Sequence, residues 1–157
     1  MQPTSASVED LMAKDPLDLT PGMADLIALL QARGTHVYLV SGGFEQMIFP
    51  VADRLRIPRE RVFANRILFA PDGSYSGFDE TAPTSRSGGK ARVLSARREA
   101  HGYKCMVMVG DGATDLEARP PANCFIGYGG IAVRSKVEMH ADWFVHDWTD
   151  VVEQLRQ

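Results

Sequence analysis

The sequence predicts an α/β fold built on a parallel β-sheet. Apolar segments of strand length alternate with segments of helical periodicity, and glycine-rich turns follow two of these strands. Buried strands separated by helices form parallel sheets with right-handed crossovers. The predicted strands are Val37–Val40, Cys105–Val109, Cys124–Ile126 and Trp143–Val145.

Two helices are predicted before the first strand. Ser7, with Asp10 three residues later, is typical of a capping box for a short helix. Thr20 is a suitable N-cap for a second helix with an apolar stripe, which Gly34 ends. The first strand is therefore expected to follow directly after Gly34.

A third helix and a hairpin follow the first strand. The helix is predicted from about Phe44 to Leu55. Pro71–Gly73 is a turn signal between two strand-like segments, Arg61–Ala70 and Ser74–Phe78, which predicts a β-hairpin.

Four helices are predicted in the second half of the chain. The first starts near Lys90 and runs to about Ala100, so that it leads into the Cys105–Val109 strand. The other three are short and alternate with the remaining strands, near Ala113–Ala118, Val133–Met139 and Asp150–Leu155.

The turn after the Cys105–Val109 strand carries a carboxylate between two glycines. Residues Gly110–Asp115 read Gly-Asp-Gly-Ala-Thr-Asp and lead into a predicted helix. Mg²⁺ needs a fixed carboxylate but keeps coordination positions for water and substrate phosphate. Asp111 is therefore a candidate metal ligand. A glycine-rich turn with a capping aspartate is an equal alternative for this loop taken alone.

Two other turns have features of phosphate binding. Ser41 offers a hydroxyl, and Gly42 and Gly43 offer amides directly before a predicted helix. Lys90 lies in the first turn of its helix, where a cation is unfavourable because it opposes the helix dipole. A nearby anion would offset this cost. Because ligands of open α/β sheets collect at the carboxyl ends of strands, the three turns together predict a phosphate site.

These segments together resemble the phosphoserine phosphatase family of the haloacid dehalogenase-like superfamily, over essentially the whole chain. The resemblance implies a three-layer, Rossmann-like parallel sheet. It also implies that residues 1–20 are the end of a helical cap, and that 21–157 form the core with a hairpin insertion at about 61–80. The segments that carry it are Leu39–Phe44, Val62–Arg66, Gly77–Thr81, Ser87–Lys90 and Val109–Asp115.

The resemblance also implies roles for individual residues. Asp111 would ligate Mg²⁺, the expected cofactor. Lys90 would neutralise phosphate charge, and Asp115 would hold Lys90 and the loop in place. Substrate contacts would come from Ser41, Gly42, Gly43, Lys90 and Thr114.

One family motif has no counterpart in the sequence. In the family, a central strand ends in DxDxT, whose first Asp is the nucleophile and whose second is the general acid/base. The nearest similar segment, Lys14–Thr20, has Pro16 where the first Asp should be, and Asp147–Asp150 has the wrong spacing. We therefore expect neither a nucleophile nor an acid/base here, and interpret the chain as the later part of a longer protein.

The strand that would carry DxDxT lies between two of the predicted strands, Val37–Val40 and Cys105–Val109. Without it, these two should lie at about twice the 4.8 Å spacing of paired strands, with no ladder between them. Unpaired backbone groups then destabilise the isolated chain.

Composition limits the partners. A net charge of −3 gives no electrostatic footprint for nucleic acid, and Arg92, Arg97 and Arg98 are interpreted as a solvated helix face. Cys105 and Cys124 are interpreted as buried apolar residues in a reducing compartment, without a disulfide. No segment has membrane length or signal-peptide features. We expect a cytoplasmic protein, or a plastid one if a transit peptide precedes Met1.

The expected function of the complete protein is Mg²⁺-dependent hydrolysis of O-phosphoserine to serine and phosphate, the last step of serine biosynthesis. A homodimer of the complete protein is compatible with the resemblance. One alternative is a non-catalytic phospho-ligand-binding or regulatory remnant. Another is the phosphorylation domain of a P-type ATPase, which has a similar GDGxxD loop but needs an upstream DKTGT and transmembrane helices.

Overall fold

A computed structural model describes residues 3–14 and 18–157. Within these residues, helices and strands alternate as the sequence predicts, which confirms the α/β fold class. The strands are β1 Leu39–Phe44, β2 Val62–Asn65, β3 Ile67–Phe69, β4 Tyr75–Phe78, β5 Val107–Gly110, β6 Cys124–Tyr128 and β7 Trp143–Val145.

The helices connect these strands as the α/β pattern requires. Two short 3₁₀ segments, Arg59–Arg61 and Pro83–Ser85, precede β2 and the fourth helix. The helices are α1 Ser5–Lys14, α2 Met23–Ala32, α3 Glu45–Arg54, α4 Gly89–His101, α5 Ala113–Leu116, α6 Ser135–His140 and α7 Trp148–Arg156.

The parallel strands form two separate sheets. β1 pairs with β2, and β5, β6 and β7 form a second sheet in that order. Across the described residues β1 and β5 share no ladder, as predicted, while the predicted spacing between them stays a prediction. Val107 and Val109 of β5 are exposed, although a central strand of such a sheet is normally buried.

Side-chain packing rather than a ladder joins the two halves. One apolar cluster covers β1 and β2 and includes Ile27 of α2 and Ala52 of α3. A second surrounds Phe125 of β6, and Val40 of β1 packs against it. In a third, Leu26 of α2 packs with Trp148 of α7. Helix α2 therefore contributes to clusters on both sides of the gap.

Two predicted helix starts are wrong. Helix α1 begins at Ser5. Thr4 N donates to Ser7 Oγ at 2.8 Å and Ser7 N donates to Thr4 Oγ1 at 3.1 Å, so the cap lies earlier in the chain than the predicted Ser7. Helix α2 is preceded by Gly22 in the left-handed conformation, with φ 78°, instead of being capped by Thr20. A cap residue before the helix can be glycine as well as a short polar residue. The predicted end at Gly34, with φ 73°, is confirmed.

The predicted hairpin is correct in its turn but wrong in its first arm. β3 and β4 form an antiparallel hairpin around Pro71–Gly73. Residues Val62–Asn65 instead form β2, which pairs in parallel with β1. The segment Arg61–Ala70 is therefore one core strand followed by one hairpin strand, since an apolar run alone does not reveal its partner.

Two interpretations of single residues are also wrong, one of them in part. Cys105 is exposed, because it lies before β5 begins. The arginines of α4 are a solvated face only in part, because Arg92 is exposed, whereas Arg98 donates to Pro121 O and Asn123 Oδ1 and Arg97 lies over the ring of Phe63. Arg92 donates to the carbonyls of Pro83, Arg86 and Ser87.

Two further predictions concern membrane segments and the upstream motif. None of the described helices is long and apolar enough to cross a membrane. Pro16, in the segment compared with DxDxT, lies outside the described residues.

Candidate active site

The three predicted phosphate-binding turns are joined by one series of contacts. Asn65 Nδ2 at the end of β2 donates to Gly42 O at 2.8 Å, and Thr84 Oγ1 donates to Asn65 Oδ1 at 2.8 Å. A Cβ on Gly89 would lie 2.7 Å from Thr84 Cα, so α4 begins tightly against the Pro83–Ser85 segment. Lys90 in the first turn of α4 then pairs with Asp115 of the loop after β5. The three turns are therefore neighbours in space.

Asp115 is the fixed centre of this region. It is the buried charged residue of the described core, and its carboxylate pairs with Lys90 Nζ and accepts from Gly112 N at 3.0 Å. Gly110 is required beside it, because a Cβ there would lie 2.2 Å from Asp115 Cγ. The carboxylate of Asp115 therefore fixes the conformation of the loop after β5.

Lys90 is held close to the loop rather than extended into solvent. Its side chain is 19% exposed and that of Asp115 is 8% exposed. An ammonium group has three donors, and one of them is directed at Asp115. The remaining donors are available to an anion beside the loop.

Asp111 lies on the same loop but is half exposed. Arg134 Nη2 lies 3.2 Å from its Oδ2, and both side chains are about half exposed, at 53% and 50%. A guanidinium therefore occupies the position beside Asp111 where a cation is predicted. An open hollow of about 260 Å³ adjoins Asp111, with Val109, Tyr128 and Ile131 in its wall.

The donor set around Asp111 fits Mg²⁺. Among residues 3–14 and 18–157, no group of three or more His, Cys, Asp or Glu side chains could hold a metal ion. The loop thus offers one accessible carboxylate, while Asp115 is already engaged by Lys90 and Gly112. Mg²⁺ usually binds one or two carboxylates and completes its shell with water and phosphate oxygens, so this set suits it.

The Ser41 turn differs in detail from the prediction. Ser41–Phe44 continue β1 instead of forming a loop before α3. Gly43 N donates to Ser41 Oγ at 3.0 Å, so this amide is engaged within the turn. The Ser41 hydroxyl accepts that bond and keeps its own proton for an acceptor. Ser41 is therefore better prepared than Gly43 to donate to an anion.

Thr114 and two residues without a predicted role complete the region. Thr114 is exposed in α5, which has only four residues. Asn65 and Thr84 connect the Ser41 turn to α4, and no role was predicted for either. Neither residue had a signal in the sequence, because Asn65 lay inside the predicted strand segment Arg61–Ala70 and Thr84 lay outside every predicted element.

Comparisons with known proteins identify the family. A model of the haloacid dehalogenase-like hydrolases matches residues 2–118. The chain belongs to this family. A phosphoserine phosphatase of Bos taurus is 46% identical over 157 residues, which are 100% of this chain and 70% of that protein.

Two further matches support this assignment. A chloroplastic phosphoserine phosphatase of Arabidopsis thaliana is 48% identical and covers 98% of this chain, which spans 53% of that protein. The crystal structure of a phosphoserine phosphohydrolase-like protein from Francisella tularensis has a TM-score of 0.81 and 30% identity. That match covers 97% of this chain and 70% of the other. The resemblance read from the sequence is confirmed.

Proposed function

We propose that this chain provides the cation-binding and phosphoryl-binding part of a phosphoserine phosphatase. One observation carries the proposal: Asp115, four residues after the accessible carboxylate of Asp111, forms a largely buried ion pair with Lys90 of α4. A fixed ammonium beside an exchangeable carboxylate is suited to a phosphoryl group and a divalent cation. Relatives named phosphoserine phosphatase match nearly all of this chain, and their name supplies the proposed substrate class. They favour a phosphatase over the phosphorylation domain of an ATPase.

The role of each side chain follows from its contacts. Asp111 would hold Mg²⁺, on which haloacid dehalogenase-like phosphatases generally depend, and the ion would neutralise phosphoryl charge. Lys90 would donate to phosphoryl oxygens while Asp115 fixes its position. The Ser41 hydroxyl would donate to the same group. Thr114 and Gly42 would contact the rest of the substrate.

These residues orient and neutralise a phosphoryl group but do not attack it. The sequence contains no DxDxT motif, so the aspartates that would form the phosphoenzyme and move the proton are absent from these 157 residues. We infer that this chain binds phosphoserine and does not turn it over without a strand that carries them. A non-catalytic phospho-ligand-binding role for the chain alone rests on the same observation.

Binding and turnover, measured on the same preparation, test the proposal. Titration calorimetry with phosphoserine and Mg²⁺ should show binding that Lys90→Ala weakens at least about tenfold, because a charge-assisted contact is lost. Glu117→Gln, which removes an exposed charge directly after α5, is the matched control. Equal affinity in the Lys90 variant would contradict the assignment of the site.

Phosphate release by the same chain is the second measurement. Loss of a covalent nucleophile removes several orders of magnitude in rate. A turnover within tenfold of an ordinary enzyme's roughly 10 per second would therefore contradict our inference about the nucleophile.

Further properties of the protein belong to this proposal. We assign residues 1–20 to the end of a cap and 21–157 to the core, with the inserted hairpin formed by β3 and β4. Serine biosynthesis in the cytoplasm is the proposed setting, or in a plastid, as the name of the Arabidopsis relative indicates for that protein. A homodimer and the absence of a nucleic-acid partner remain predictions.

A further inference from the structure

A series of hydrogen bonds runs from Thr84 to the hydroxyl of Ser41. Thr84 Oγ1 donates to Asn65 Oδ1 at 2.8 Å, and Asn65 Nδ2 donates to Gly42 O at 2.8 Å. Gly43 N belongs to the same peptide unit as Gly42 O and donates to Ser41 Oγ at 3.0 Å. Three hydrogen bonds and one peptide unit therefore connect the two hydroxyl groups.

The chemistry of the groups fixes the donor and the acceptor at each step. A backbone carbonyl only accepts, so the NH₂ end of the Asn65 amide faces Gly42 O. The carbonyl end of that amide then faces Thr84, whose hydroxyl must donate. The Gly43 N–H only donates, so the Ser41 oxygen accepts from it. All three hydrogen bonds therefore point from Thr84 towards Ser41.

Hydrogen bonds that point in one direction polarise one another. A carbonyl that accepts a hydrogen bond makes the N–H of its own peptide unit a better donor, and a hydroxyl that accepts makes its own proton a better donor. The bond from Asn65 to Gly42 O thus strengthens the Gly43 N–H, which in turn polarises the Ser41 hydroxyl. The final donor of the series is the Ser41 proton.

The segment around Thr84 is itself held against the start of α4. A Cβ on Gly89 would lie 2.4 Å from Pro83 O, so α4 begins in direct contact with this segment. Arg92 of α4 donates to the same Pro83 carbonyl at 3.0 Å. Because Lys90 directly follows Gly89, the position of Thr84 is tied to that of Lys90.

The series lies on the side of β1 that faces β2. β1 pairs in parallel with β2, and Asn65 is the last residue of β2. Every donor and acceptor from Thr84 to Ser41 Oγ belongs to the described residues. The series therefore needs no group from the region between β1 and β5.

We propose that Asn65 and Thr84 are positioning residues for the phosphoryl group, and that they act through the hydroxyl of Ser41. This inference rests on the proposed function, in which that hydroxyl donates to a phosphoryl oxygen. Asn65 orients the peptide between Gly42 and Gly43, whose N–H holds the Ser41 oxygen and leaves the hydroxyl proton for the ligand. Thr84 fixes the orientation of the Asn65 amide and ties it to the start of α4.

A double-mutant cycle on phosphoserine affinity tests this role. Titration calorimetry of the full chain with phosphoserine and Mg²⁺ measures it. Thr84→Val keeps the shape of the side chain but removes the hydroxyl, and it should weaken binding about threefold, the effect of one neutral hydrogen bond. Thr84→Ser keeps the hydroxyl and should retain the parent affinity. In a Ser41→Ala background, Thr84→Val should have no effect, because the hydroxyl through which Thr84 acts is absent.

Two further variants complete the cycle. Thr81→Val removes a hydroxyl three residues away that donates to Asp79 instead, so it is the matched control and should leave phosphoserine affinity unchanged. Asn65→Ala removes both hydrogen bonds of the amide. It should weaken binding at least as much as Thr84→Val, and its effect should likewise disappear in the Ser41→Ala background.

The amide proton of Gly43 gives a measurement that needs no ligand. In the NMR spectrum of the ligand-free chain, Thr84→Val should move the Gly43 resonance upfield, because that N–H becomes a weaker donor. Thr81→Val should leave the resonance in place. An unmoved Gly43 resonance in the Thr84→Val variant would overturn the proposal, even if an affinity change were found.

The two proposals fail in different ways. Unchanged affinity in both Ser41→Ala and Lys90→Ala would contradict the proposed function, and the positioning role would fall with it. Unchanged affinity in Thr84→Val, beside a loss in those two variants, would overturn only the positioning role. An effect of Thr84→Val that persists in the Ser41→Ala background would also overturn it, because Thr84 would then act on the structure in general.

Discussion

Asp111 and Asp115 lie on one loop but in opposite surroundings. The Asp115 side chain is 8% exposed, pairs with the largely buried Lys90 and accepts from Gly112 N. The Asp111 side chain is 50% exposed and, among the residues that the structure describes, has one charged partner, a half-exposed Arg134 at 3.2 Å. The two aspartates are only four positions apart in the sequence. Burial and the amide hydrogen bond are what separate them.

This difference assigns the two carboxylates to different tasks. Removing one partner of a buried ion pair costs about 3 to 5 kcal/mol, whereas an exposed pair contributes about 0 to 1 kcal/mol. Asp115 is therefore committed to the structure of the loop. In the proposed function, Asp111 would exchange its guanidinium partner for a metal ion at little cost.

The largest expected effect comes from Asp115. Replacement by alanine should lower the free energy of unfolding by about 3 kcal/mol, because Lys90 and the Gly112 amide lose their acceptor. Urea unfolding of the variant and the parent chain measures this. Asp111→Ala, the matched control on the same loop, should change it by less than about 0.5 kcal/mol. Equal losses in both variants would remove the distinction between the two aspartates.

Metal affinity should show the reverse order. Asp111→Asn should weaken Mg²⁺ binding at least about tenfold, because the accessible carboxylate charge is lost, while stability stays near that of the parent. Calorimetric titration with MgCl₂ measures the affinity. Glu117→Gln removes a nearby exposed carboxylate and should have no effect. Undiminished Mg²⁺ affinity in the Asp111 variant would show that the ion binds elsewhere.

The fold was predictable where local chemistry decides it. Alternating apolar and helical segments gave the parallel strands, and the turn at Pro71–Gly73 gave the hairpin. The division of Arg61–Ala70 into β2 and β3 was not predictable, because the partner of a strand is set by tertiary packing. Gly22 was missed as a cap because a left-handed backbone leaves no side-chain signal.

The site was predictable in its residues but not in their connections. Glycines around Asp111 and the lysine at a helix start indicated Asp111 and Lys90, and the family resemblance added Asp115. The contacts of Asn65 and Thr84 join segments far apart in sequence, so no local pattern could predict them. The lack of a ladder between β1 and β5 followed instead from a motif that the sequence does not contain.

Arg134 should have a smaller effect than Asp111. Arg134→Ala removes the cation that competes for Asp111, so Mg²⁺ affinity should rise by up to about fivefold, the equivalent of one exposed ion pair. The same calorimetric titration measures it, and Arg156→Gln controls for the change in net charge. A weaker affinity in the Arg134 variant would mean that this guanidinium supports metal binding rather than competing with it.

Asp142 offers the smallest and most discriminating test, because it has an amide partner like Asp115 and is exposed like Asp111. It accepts from Phe125 N at 2.8 Å and pairs with Arg119, and its side chain is 38% exposed. The hydrogen bond from Phe125 N is the largest cause that holds the pKa of Asp142 below the ordinary value of 3.8, and Arg119 lowers the pKa further. A lowered folded-state pKa stabilises the protein above that value, and the contribution is lost as the pH falls below it.

Asp142→Asn should therefore unfold at a slightly lower urea concentration than the parent at neutral pH, and the difference should vanish as the pH falls below 3.8. Asp150→Asn, an exposed aspartate in α7, should show no such convergence. If the difference in unfolding midpoint persists in acid, the hydrogen bond from Phe125 N stabilises the protein without the carboxylate charge. In that case burial, and not charge, distinguishes Asp115 from Asp111.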